Sequence, residues 1–379
     1  MFKILFRALL ATVRRVLPWR VIAIVLVPVI VVGCATRSNL EPFPPLATDK
    51  PPGASPQAWR AARGLGRGIN FGNMLDAPSE GDWGLAVSPE FIDAAVAAGF
   101  TSVRLPVRWS NHAQALRPFT LDEVFTQRVD NVVNALLAKG LYVVLNVHHD
   151  RLLDGDPLDV GDAAQEPGLV DERFLTLWQQ VASRFFAKND HLLFELYNEP
   201  HGRLDAERWN DLQARALGVV RQYNPKRVVL VSPVNWSNAK SLEALRLPND
   251  PHLIATIHHY EPFKFTHQGA FWITPELPTG VTCCNDAQRL EVTAPLDVAK
   301  AWSDQNRYPV FLGEFGSFKA ADLDSRTTFT RTVRQQAEAR GLSWAYWELA
   351  AQFGVYDPVA KAFRPALLRA LMGSDTAPN

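Results

Sequence analysis

The stretch that decides the fold is LLFELYNEPHG, residues 192–202, in which an apolar run ends in polar residues. Its apolar half has the length and composition of a buried β-strand. A strand buried on both faces has no structural use for the carboxamide of Asn198 beside the carboxylate of Glu199. Pro200 then ends the strand, because proline cannot donate a hydrogen bond to a sheet. We therefore interpret the end of this strand as part of a cleft.

Comparable apolar segments recur along the chain, and helical patterns separate them. Strands are predicted at 66–72, 102–107, 142–149, 192–198, 227–233, 253–260, 308–316 and 343–349. Helices with apolar residues at helical spacing are predicted at 88–99, 128–140 and 173–186. The first of these helices should begin with Ser88 as its cap and Pro89 in its first turn.

This alternation of strands and helices predicts the fold class. Strands that alternate with helices form a parallel sheet, and about eight such strands close a (β/α)8 barrel, the TIM barrel. An open, doubly wound sheet is the alternative. It is disfavoured because the glycines of 64–72 lead into a strand, whereas those of a phosphate-binding fingerprint lead into a helix. We predict an α/β protein with a single (β/α)8 catalytic domain over residues 61–373.

The N-terminal segment has the pattern of an export signal. Basic residues precede the apolar run VIAIVLVPVIVVG at 21–33, which is shorter than the span of about 20 residues that crosses a membrane. VVGC at 31–34 resembles a bacterial lipobox, in which Cys34 carries the lipid. We predict a lipoprotein-type signal peptide over 1–33 and a Pro-, Ser- and Thr-rich tether over 34–60. The alternative is an uncleaved signal anchor. Either way the protein is exported, to the bacterial cell envelope as a lipid-anchored protein or into the medium.

Charge and cysteine content argue against several functions. Lys plus Arg and Asp plus Glu both number 39, so the formal net charge is zero and the balance does not predict nucleic-acid binding. The three cysteines provide neither a disulfide framework nor a zinc site. Cys283 and Cys284 are expected to be ordinary loop residues, with an oxidised vicinal pair as the alternative.

Polar and aromatic residues lie at the ends of most predicted strands. In a (β/α)8 barrel the active site is built at the carboxyl ends of the strands, so these side chains should converge. A single polar residue at a strand end could have a purely structural role, but a series of them on successive strands predicts a catalytic cleft. The residues in question are Arg104, Asn146, His148, His149, Asn198, Glu199, His258, His259, Tyr260, Glu314, Trp347 and Glu348.

Two reaction classes could use this set of side chains. Metal-assisted hydrolysis would use histidines and carboxylates as ligands, but the His-x-His pattern of an early strand is missing and adjacent histidines should point to opposite faces. The second class is glycoside hydrolysis by two carboxylates, Glu199 and Glu314, which in retaining enzymes lie about 5–5.5 Å apart. We predict the second class, with no metal and no other cofactor.

Several motifs resemble glycoside hydrolase family 5. They are NEPHG at 198–202, HHY at 258–260 and GEFG at 313–316, with Arg104 and His148 on the matching strands. The resemblance runs from about Gly64 to Leu371 and covers the predicted barrel. Further segments are similar to bacterial endo-β-1,4-glucanases of that family, some of which also cut mannans: 68–78, 103–113, 265–272 and 343–358.

The resemblance implies a retaining double displacement. Glu199 matches the acid/base and Glu314 matches the nucleophile. The role of Glu314 as nucleophile requires an ionised carboxylate. A nearby cation such as Arg104 favours that form, and Tyr260 can donate its hydroxyl to the same carboxylate. Glu199 must be protonated when the leaving oxygen departs, so its pKa should be the higher of the two.

Other residues match sugar contacts of the family. Asn198 corresponds to the amide that binds the sugar 2-hydroxyl, His148 and His258 to polar contacts, and Trp347 to the aromatic floor. Additional substrate contacts are predicted at His149, Asn73, Asp76, Trp236, His267 and Trp272.

Some conspicuous residues are assigned structural roles. Trp83 and Trp109 are expected in the core. Glu195 shares the face of Glu199 but lies deeper, which predicts an ion pair inside the barrel. Glu348 follows Trp347 on the opposite face and is expected to be structural.

The sequence thus predicts a retaining endo-acting glycoside hydrolase that cleaves internal β-1,4 bonds of cellulose-like or mixed-linkage β-glucans. An endo-β-1,4-mannanase or a glucan/mannan bifunctional enzyme is the alternative of the same class. A non-catalytic surface glycan-binding lipoprotein is the alternative of another class, disfavoured because Glu199, Glu314, Arg104 and Tyr260 are all present. The expected partners are a polysaccharide and, through the lipid on Cys34, a membrane. We expect a monomer.

Overall fold

The computed structural model describes residues 51–156 and 167–373. The predictions for the signal peptide, for Cys34 and for the tether up to residue 50 lie outside these residues and stay predictions. Neither described range contains a helix that combines the length and the hydrophobicity required to cross a membrane.

Eight parallel strands form a closed barrel in chain order. The barrel closes because β1 pairs with β8 as well as with β2. This confirms the predicted (β/α)8 fold. The strands are β1 Arg67–Asn70, β2 Ser102–Leu105, β3 Tyr142–Asn146, β4 Leu192–Glu195, β5 Val229–Val231, β6 Leu253–His258, β7 Val310–Glu314 and β8 Ser343–Tyr346.

Helices surround the barrel and connect its strands. They are α1 Pro56–Leu65, α2 Pro89–Ala97, α3 Glu123–Ala138, α4 Val170–Arg184, α5 Ala206–Tyr223, α6 Asp286–Asn306, α7 Leu323–Ala339 and α8 Pro365–Met372. Between β5 and β6 a 3-10 helix, Ala239–Ala244, takes the place of a long helix. A small antiparallel pair, β9 Tyr356–Asp357 and β10 Ala362–Phe363, follows β8. One-turn helical segments lie at Arg151–Asp154, Val234–Ser237 and Phe263–Thr266, and further 3-10 turns at Trp109–His112 and Pro167–Leu169.

Local sequence signals set the helix boundaries. Ser88 accepts a hydrogen bond from the N–H of Phe91 at 3.2 Å, and Pro89 occupies the first turn of α2, as predicted. Asn285 and Gln288 form a reciprocal capping box at the start of α6. Such caps satisfy N–H groups that the first turn of a helix leaves without a partner.

The helix α1 corrects the predicted tether, which was placed over 34–60. Ser55 caps α1, and Ala58 and Leu65 are fully buried against apolar residues of the strands. These strand residues point into the barrel and include Val144 and Leu193. Since α1 covers the end of the barrel where the strands begin, residues 56–60 belong to the folded domain. Composition alone does not predict α1, because small residues such as alanine occur both in linkers and in close contacts between helices and strands.

The strands end earlier than predicted. β3 ends at Asn146 rather than at residue 149, and β4 ends at Glu195 rather than at residue 198. The residues beyond these ends leave the ladder, and their side chains contribute to the candidate site. The polar ends of the apolar runs therefore mark where the sheet stops.

The vicinal cysteines also differ from the expectation. Cys283 and Cys284 are joined in a disulfide in the loop before α6, so the alternative of an oxidised pair describes the structure. The N–H of Cys283 donates to the Ser325 hydroxyl at 3.0 Å, which connects this loop to α7.

We predict that Leu65→Ala lowers the free energy of unfolding by about 2–5 kcal/mol, because it leaves a cavity between α1 and the barrel interior. Chemical denaturation of residues 51–379 measures this. Arg60→Ala, on the exposed face of the same helix, is the control and should change stability little. Equal stability of the two variants would contradict the assignment of α1 to the folded domain.

Candidate active site

Arg104 lies at the centre of the site and is fully buried on β2. Its Nε donates to Glu195 at 2.8 Å and its Nη1 donates to Glu314 at 2.6 Å. Nη1 also donates to the amide oxygen of Asn70 at 3.0 Å, and Nη2 donates to that of Asn198 at 2.7 Å. One guanidinium thus connects residues from β1, β4 and β7. The ion pair predicted for Glu195 is present, whereas Asn70 was not anticipated.

Glu314 ends β7 and is positioned by an irregularity in the barrel. The β6–β7 register pairs Ile257 with Leu312 but then pairs His258 with Glu314, so Gly313 has no partner across the ladder. A bulge of this kind redirects the side chains beside it. A Cβ on Gly313 would lie 2.8 Å from Oγ1 of Thr256, so the close approach of the strands requires glycine here. The Glu314 carboxylate also accepts a hydrogen bond from Tyr260 at 2.8 Å, as the sequence predicted.

Glu199 faces Glu314 across the barrel opening. One oxygen of Glu199 lies 2.6 Å from Nδ1 of His258, and the same nitrogen lies 3.6 Å from an oxygen of Glu314. The three ligand atoms of this group all lie within 4.8 Å of one another, so the two carboxylates approach as closely as those of retaining glycosidases. The structure therefore brings together the two glutamates that the sequence singled out.

The two carboxylates differ in their contacts. Burial raises the pKa of Glu199 to about 7, against the opposing effect of His201 and Arg104. Burial also raises the pKa of Glu314, although His258 and Arg104 and the Tyr260 hydroxyl act in the opposite direction. Burial lowers the pKa of His258 to about 4, so this histidine is neutral at pH 7. The ionised form is therefore supported by direct hydrogen-bond donors at Glu314, while Glu199 is poised to hold a proton near neutral pH.

Trp347 follows β8 and lies beside His148, and its role as the aromatic floor of the cleft stays a prediction. Its ring lies parallel to that of His148, with centroids 5.4 Å apart and an interplanar angle of 2°. A Cβ on Gly72 would lie 2.6 Å from Cη2 of Trp347, so Gly72 lets the indole approach the backbone after β1. Nδ1 of His148 lies 3.2 Å from the amide nitrogen of Asn146, which orients the imidazole.

Trp236 lies beside the segment that carries Glu199. The Trp236 ring stacks on His201 with centroids 4.7 Å apart and is 55% exposed. Its backbone is left-handed, with φ of 57°, and so are those of Asn235 and Ser237. This strained turn is attached to the segment that follows β4, because Ser237 donates its hydroxyl to the carbonyl of Asn198 at 2.8 Å.

A further aromatic cluster lies behind Tyr260. His267 is buried and contacts Tyr260 edge-on, with ring centroids 5.0 Å apart. Trp272 packs against Phe318 and Phe353, with centroids 5.2 Å and 6.2 Å from its own. His267 therefore packs against Tyr260, and the half-buried Trp272 keeps part of its ring at the surface. The substrate contacts predicted for these two residues stay predictions.

The loop after β1 places Asp76 differently from the prediction. Asp76 is almost fully buried, and its two oxygens accept the N–H groups of Asn73 at 2.9 Å and Met74 at 2.8 Å. Burial raises its pKa, with His149 opposing. Asp76 therefore holds the backbone of the loop that carries Asn73, and the sugar contacts predicted for Asp76 and Asn73 stay predictions.

The residues assigned to structural roles divide into two groups. Trp109 is fully buried as predicted, and Glu348 accepts three backbone N–H groups, from Ala350, Ala351 and Phe353. The prediction that Trp83 lies in the core is wrong, because this side chain is 43% exposed. No local signal distinguishes Trp83 from a core tryptophan, since its exposure depends on what other elements pack nearby.

Two groups of described residues have a spacing that suits a metal ion: Asp76, His148 and His149, and Glu199, His258 and Glu314. The prediction that adjacent histidines point to opposite faces is wrong for His148 and His149, because both follow the end of β3, where strand alternation no longer holds. We assign neither group to a metal, since Asp76 uses both oxygens on backbone N–H groups and Arg104 and Tyr260 occupy those of Glu314.

Fold and site together define a class of protein, the (β/α)8 barrels with a paired-carboxylate centre at the carboxyl ends of β4 and β7. The chain belongs to the cellulase family, glycosyl hydrolase family 5, whose family model matches residues 67–352.

Known proteins support this assignment. The chain is 34% identical over 343 residues to Endoglucanase H of Acetivibrio thermocellus, covering 88% of this chain but only 36% of that longer relative. A solved structure of a hyperthermophilic endo-β-1,4-glucanase in complex with substrate is 38% identical, with a TM-score of 0.79 over 84% of this chain and 99% of the other. Thermotoga maritima Cel5A, solved with cellobiose and with mannotriose, is 41% and 40% identical in those structures, each with a TM-score of 0.78 over 83% of this chain and 100% of the other.

Glu195→Gln should move the acidic limb of the pH profile of kcat/KM downward, by about one pH unit. Arg104 shares its charge between Glu195 and Glu314, so removing the Glu195 charge favours ionisation of Glu314. The other groups that face Glu314 are Glu199, His258 and Tyr260, and this substitution leaves them in place.

Glu338→Gln is the matched control for that profile. Glu338 also pairs with an arginine, Arg67, at 2.8 Å, but that arginine begins β1 at the far end of the barrel. The control should keep the wild-type profile. An acidic limb that stays in place or moves upward in Glu195→Gln would show that Arg104 does not couple the two carboxylates.

Gly72→Ala should lower kcat/KM by about a hundredfold, because the added methyl displaces Trp347 from the floor of the cleft. The exposed Gly168, which has no neighbour within 4 Å of an added Cβ, gives the control Gly168→Ala. Steady-state kinetics with thermal unfolding as a check of folding distinguish the two. Normal activity of folded Gly72→Ala would mean that the position of Trp347 is not critical.

Proposed function

We propose that this protein is a retaining endo-β-1,4-glucanase. The observation that carries the proposal is the pair Glu199 and Glu314, which approach closely across the cleft but have different hydrogen-bond partners. The names of the relatives, endoglucanase and endo-β-1,4-glucanase, support the same activity.

In the first step Glu314 acts as the nucleophile. Arg104 and Tyr260 hold its carboxylate at 2.6 Å and 2.8 Å, so the oxygens are fixed before the substrate binds. The carboxylate forms a bond to the anomeric carbon while the bond to the leaving oxygen breaks. Glu199, protonated because burial raises its pKa to about 7, gives its proton to that oxygen.

In the second step Glu199 acts as a base. It takes a proton from water, and the resulting nucleophile displaces Glu314 from the anomeric carbon. Two inversions give net retention, and Glu199 regains the proton it lost. Loss of negative charge from Glu314 during the first step lowers the pKa of Glu199, which suits its change of role.

The aromatic residues of the cleft suit an extended substrate with flat faces. Trp347 is the proposed aromatic floor, and Trp236, which stacks on His201, and Trp272, which packs against Phe318, offer further ring surface. Aromatic faces combine large apolar area with few rotatable bonds, which suits pyranose rings joined in a chain. We therefore propose cellulose-like or mixed-linkage β-glucan as the substrate class.

A second candidate is combined activity on glucans and mannans. It is favoured by Thermotoga maritima Cel5A, which has been solved with both cellobiose and mannotriose. Glucose and mannose differ in the orientation of the 2-hydroxyl. Asn198, whose amide oxygen accepts from Arg104 at 2.7 Å, turns its NH2 end away from that arginine and is the residue proposed to sense this hydroxyl.

Glu314→Gln should lower kcat on mixed-linkage β-glucan by at least about a thousandfold, because the neutral amide cannot form the glycosyl intermediate.

The activity of the wild-type protein should fall as pH rises through about 7, where Glu199 loses its proton. Release of reducing ends from β-glucan and from glucomannan measures both effects. EDTA should change neither.

Three results would redirect this proposal. Activity on glucomannan alone would identify a mannanase, and activity abolished by EDTA and restored by a divalent ion would contradict the two-carboxylate mechanism. A folded wild-type protein without activity on either polymer would leave the alternative of a binding protein.

A further inference from the structure

The exposed Trp83 has no role in the mechanism derived above. It lies in the loop between β1 and α2, and a large apolar side chain that is 43% exposed loses much of the free energy it would gain by burial. We propose that Trp83 is an additional carbohydrate-binding residue, which stacks on a sugar of the β-glucan chain beyond the catalytic centre. This inference rests on the proposed glucanase function and extends the binding surface of the same cleft.

A row of aromatic rings connects Trp83 to the catalytic floor. Trp347 lies parallel to His148, and His148 contacts His149 edge-on with centroids 4.6 Å apart. His149 in turn meets Trp83 at 6.2 Å and an interplanar angle of 77°. Trp83 is therefore the outer, exposed end of a row of ring contacts that begins at Trp347.

The position of the acid/base tells which end of the sugar chain this row contacts. Glu199 protonates the leaving oxygen, so the leaving part of the chain lies on its side of the cleft. His201 and Trp236, which stack on each other next to Glu199, mark that side. The row that ends in Trp83 comes instead from β1, β3 and β8. Trp83 would thus bind the glycone part, toward the non-reducing end.

The loop that carries Trp83 is held in place by polar contacts. Asp82 accepts the N–H of Ser79 at 3.0 Å, and Glu80 accepts the N–H of Val87 at 2.8 Å. Glu80 also forms an ion pair with Arg128 of α3 at 2.8 Å. A ring presented on a fixed loop loses little conformational entropy when it binds, which favours a binding role over an incidental exposure.

The test compares substrates that reach Trp83 with one that does not. An aryl β-cellobioside fills only the nearest glycone positions, whereas a β-1,4-linked glucose hexasaccharide extends past them. Trp83→Ala should lower kcat/KM for the hexasaccharide by about tenfold and leave the aryl cellobioside within about twofold of wild type. Trp83→Phe should restore part of the loss. Phe186→Ala, which removes another exposed ring just after α4, should change neither substrate.

The pattern of products identifies the end of the chain that Trp83 holds. With a hexasaccharide labelled at its reducing end, loss of a glycone contact lets the chain shift toward the leaving-group side. Trp83→Ala should then release longer labelled fragments than the wild-type protein does. Shorter labelled fragments, equal kinetics on both substrates, or an equal loss on both would each overturn the inference.

Failure of the proposed function has a different signature. If that function is wrong, the wild-type protein is inactive on the aryl cellobioside and on the hexasaccharide alike, and both proposals fall together. If only the Trp83 inference is wrong, the wild-type protein is active and Trp83→Ala matches it or loses activity on both substrates equally.

Discussion

The ion pairs that Arg104 makes with Glu195 and Glu314 are the interaction on which the rest of the site depends. Removing such charges from water costs several kcal/mol per ion, and good geometry is required to offset it. The distances of 2.8 Å and 2.6 Å meet that requirement, and the amide oxygens of Asn70 and Asn198 accept further N–H groups of the guanidinium. One buried arginine thus connects Glu314, the proposed nucleophile, with the amide of Asn198, which precedes the proposed acid/base Glu199.

The different roles proposed for Glu199 and Glu314 follow from this arrangement. Burial raises the pKa of both carboxyl groups, although the Glu199 side chain keeps 23% of its surface exposed. Arg104 and Tyr260 donate directly to Glu314, while Glu199 meets His258, which burial keeps neutral by lowering its pKa to about 4. Two chemically identical side chains are therefore suited to different proposed roles, because their hydrogen-bond partners differ.

Much of this could be predicted because it is local in the sequence. Each strand has its own apolar run, and the polar residues where a run stops mark the open end of the barrel, as at Asn198 and Glu199. Properties that depend on two distant segments could not be predicted in this way. The bulge that aligns His258 with Glu314 is a matter of register between two strands. The exposure of Trp83 and the burial of Ala58 depend on which elements pack against them. The residues next to them in the sequence do not predict that packing.

The two ends of the barrel have different roles: one contributes mainly to stability and the other carries the candidate active site. At the end where the strands begin, α1 seals an interior of apolar residues, and this contact gains free energy from burial alone. At the other end, buried polar atoms such as Oε1 of Glu195 and Nε2 of His258 have no protein hydrogen-bond partner, an arrangement that costs free energy. Left-handed residues around Trp236 add strain at the same end. Because the apolar end is separate from the cleft, it can offset these costs without constraining the geometry of the catalytic groups.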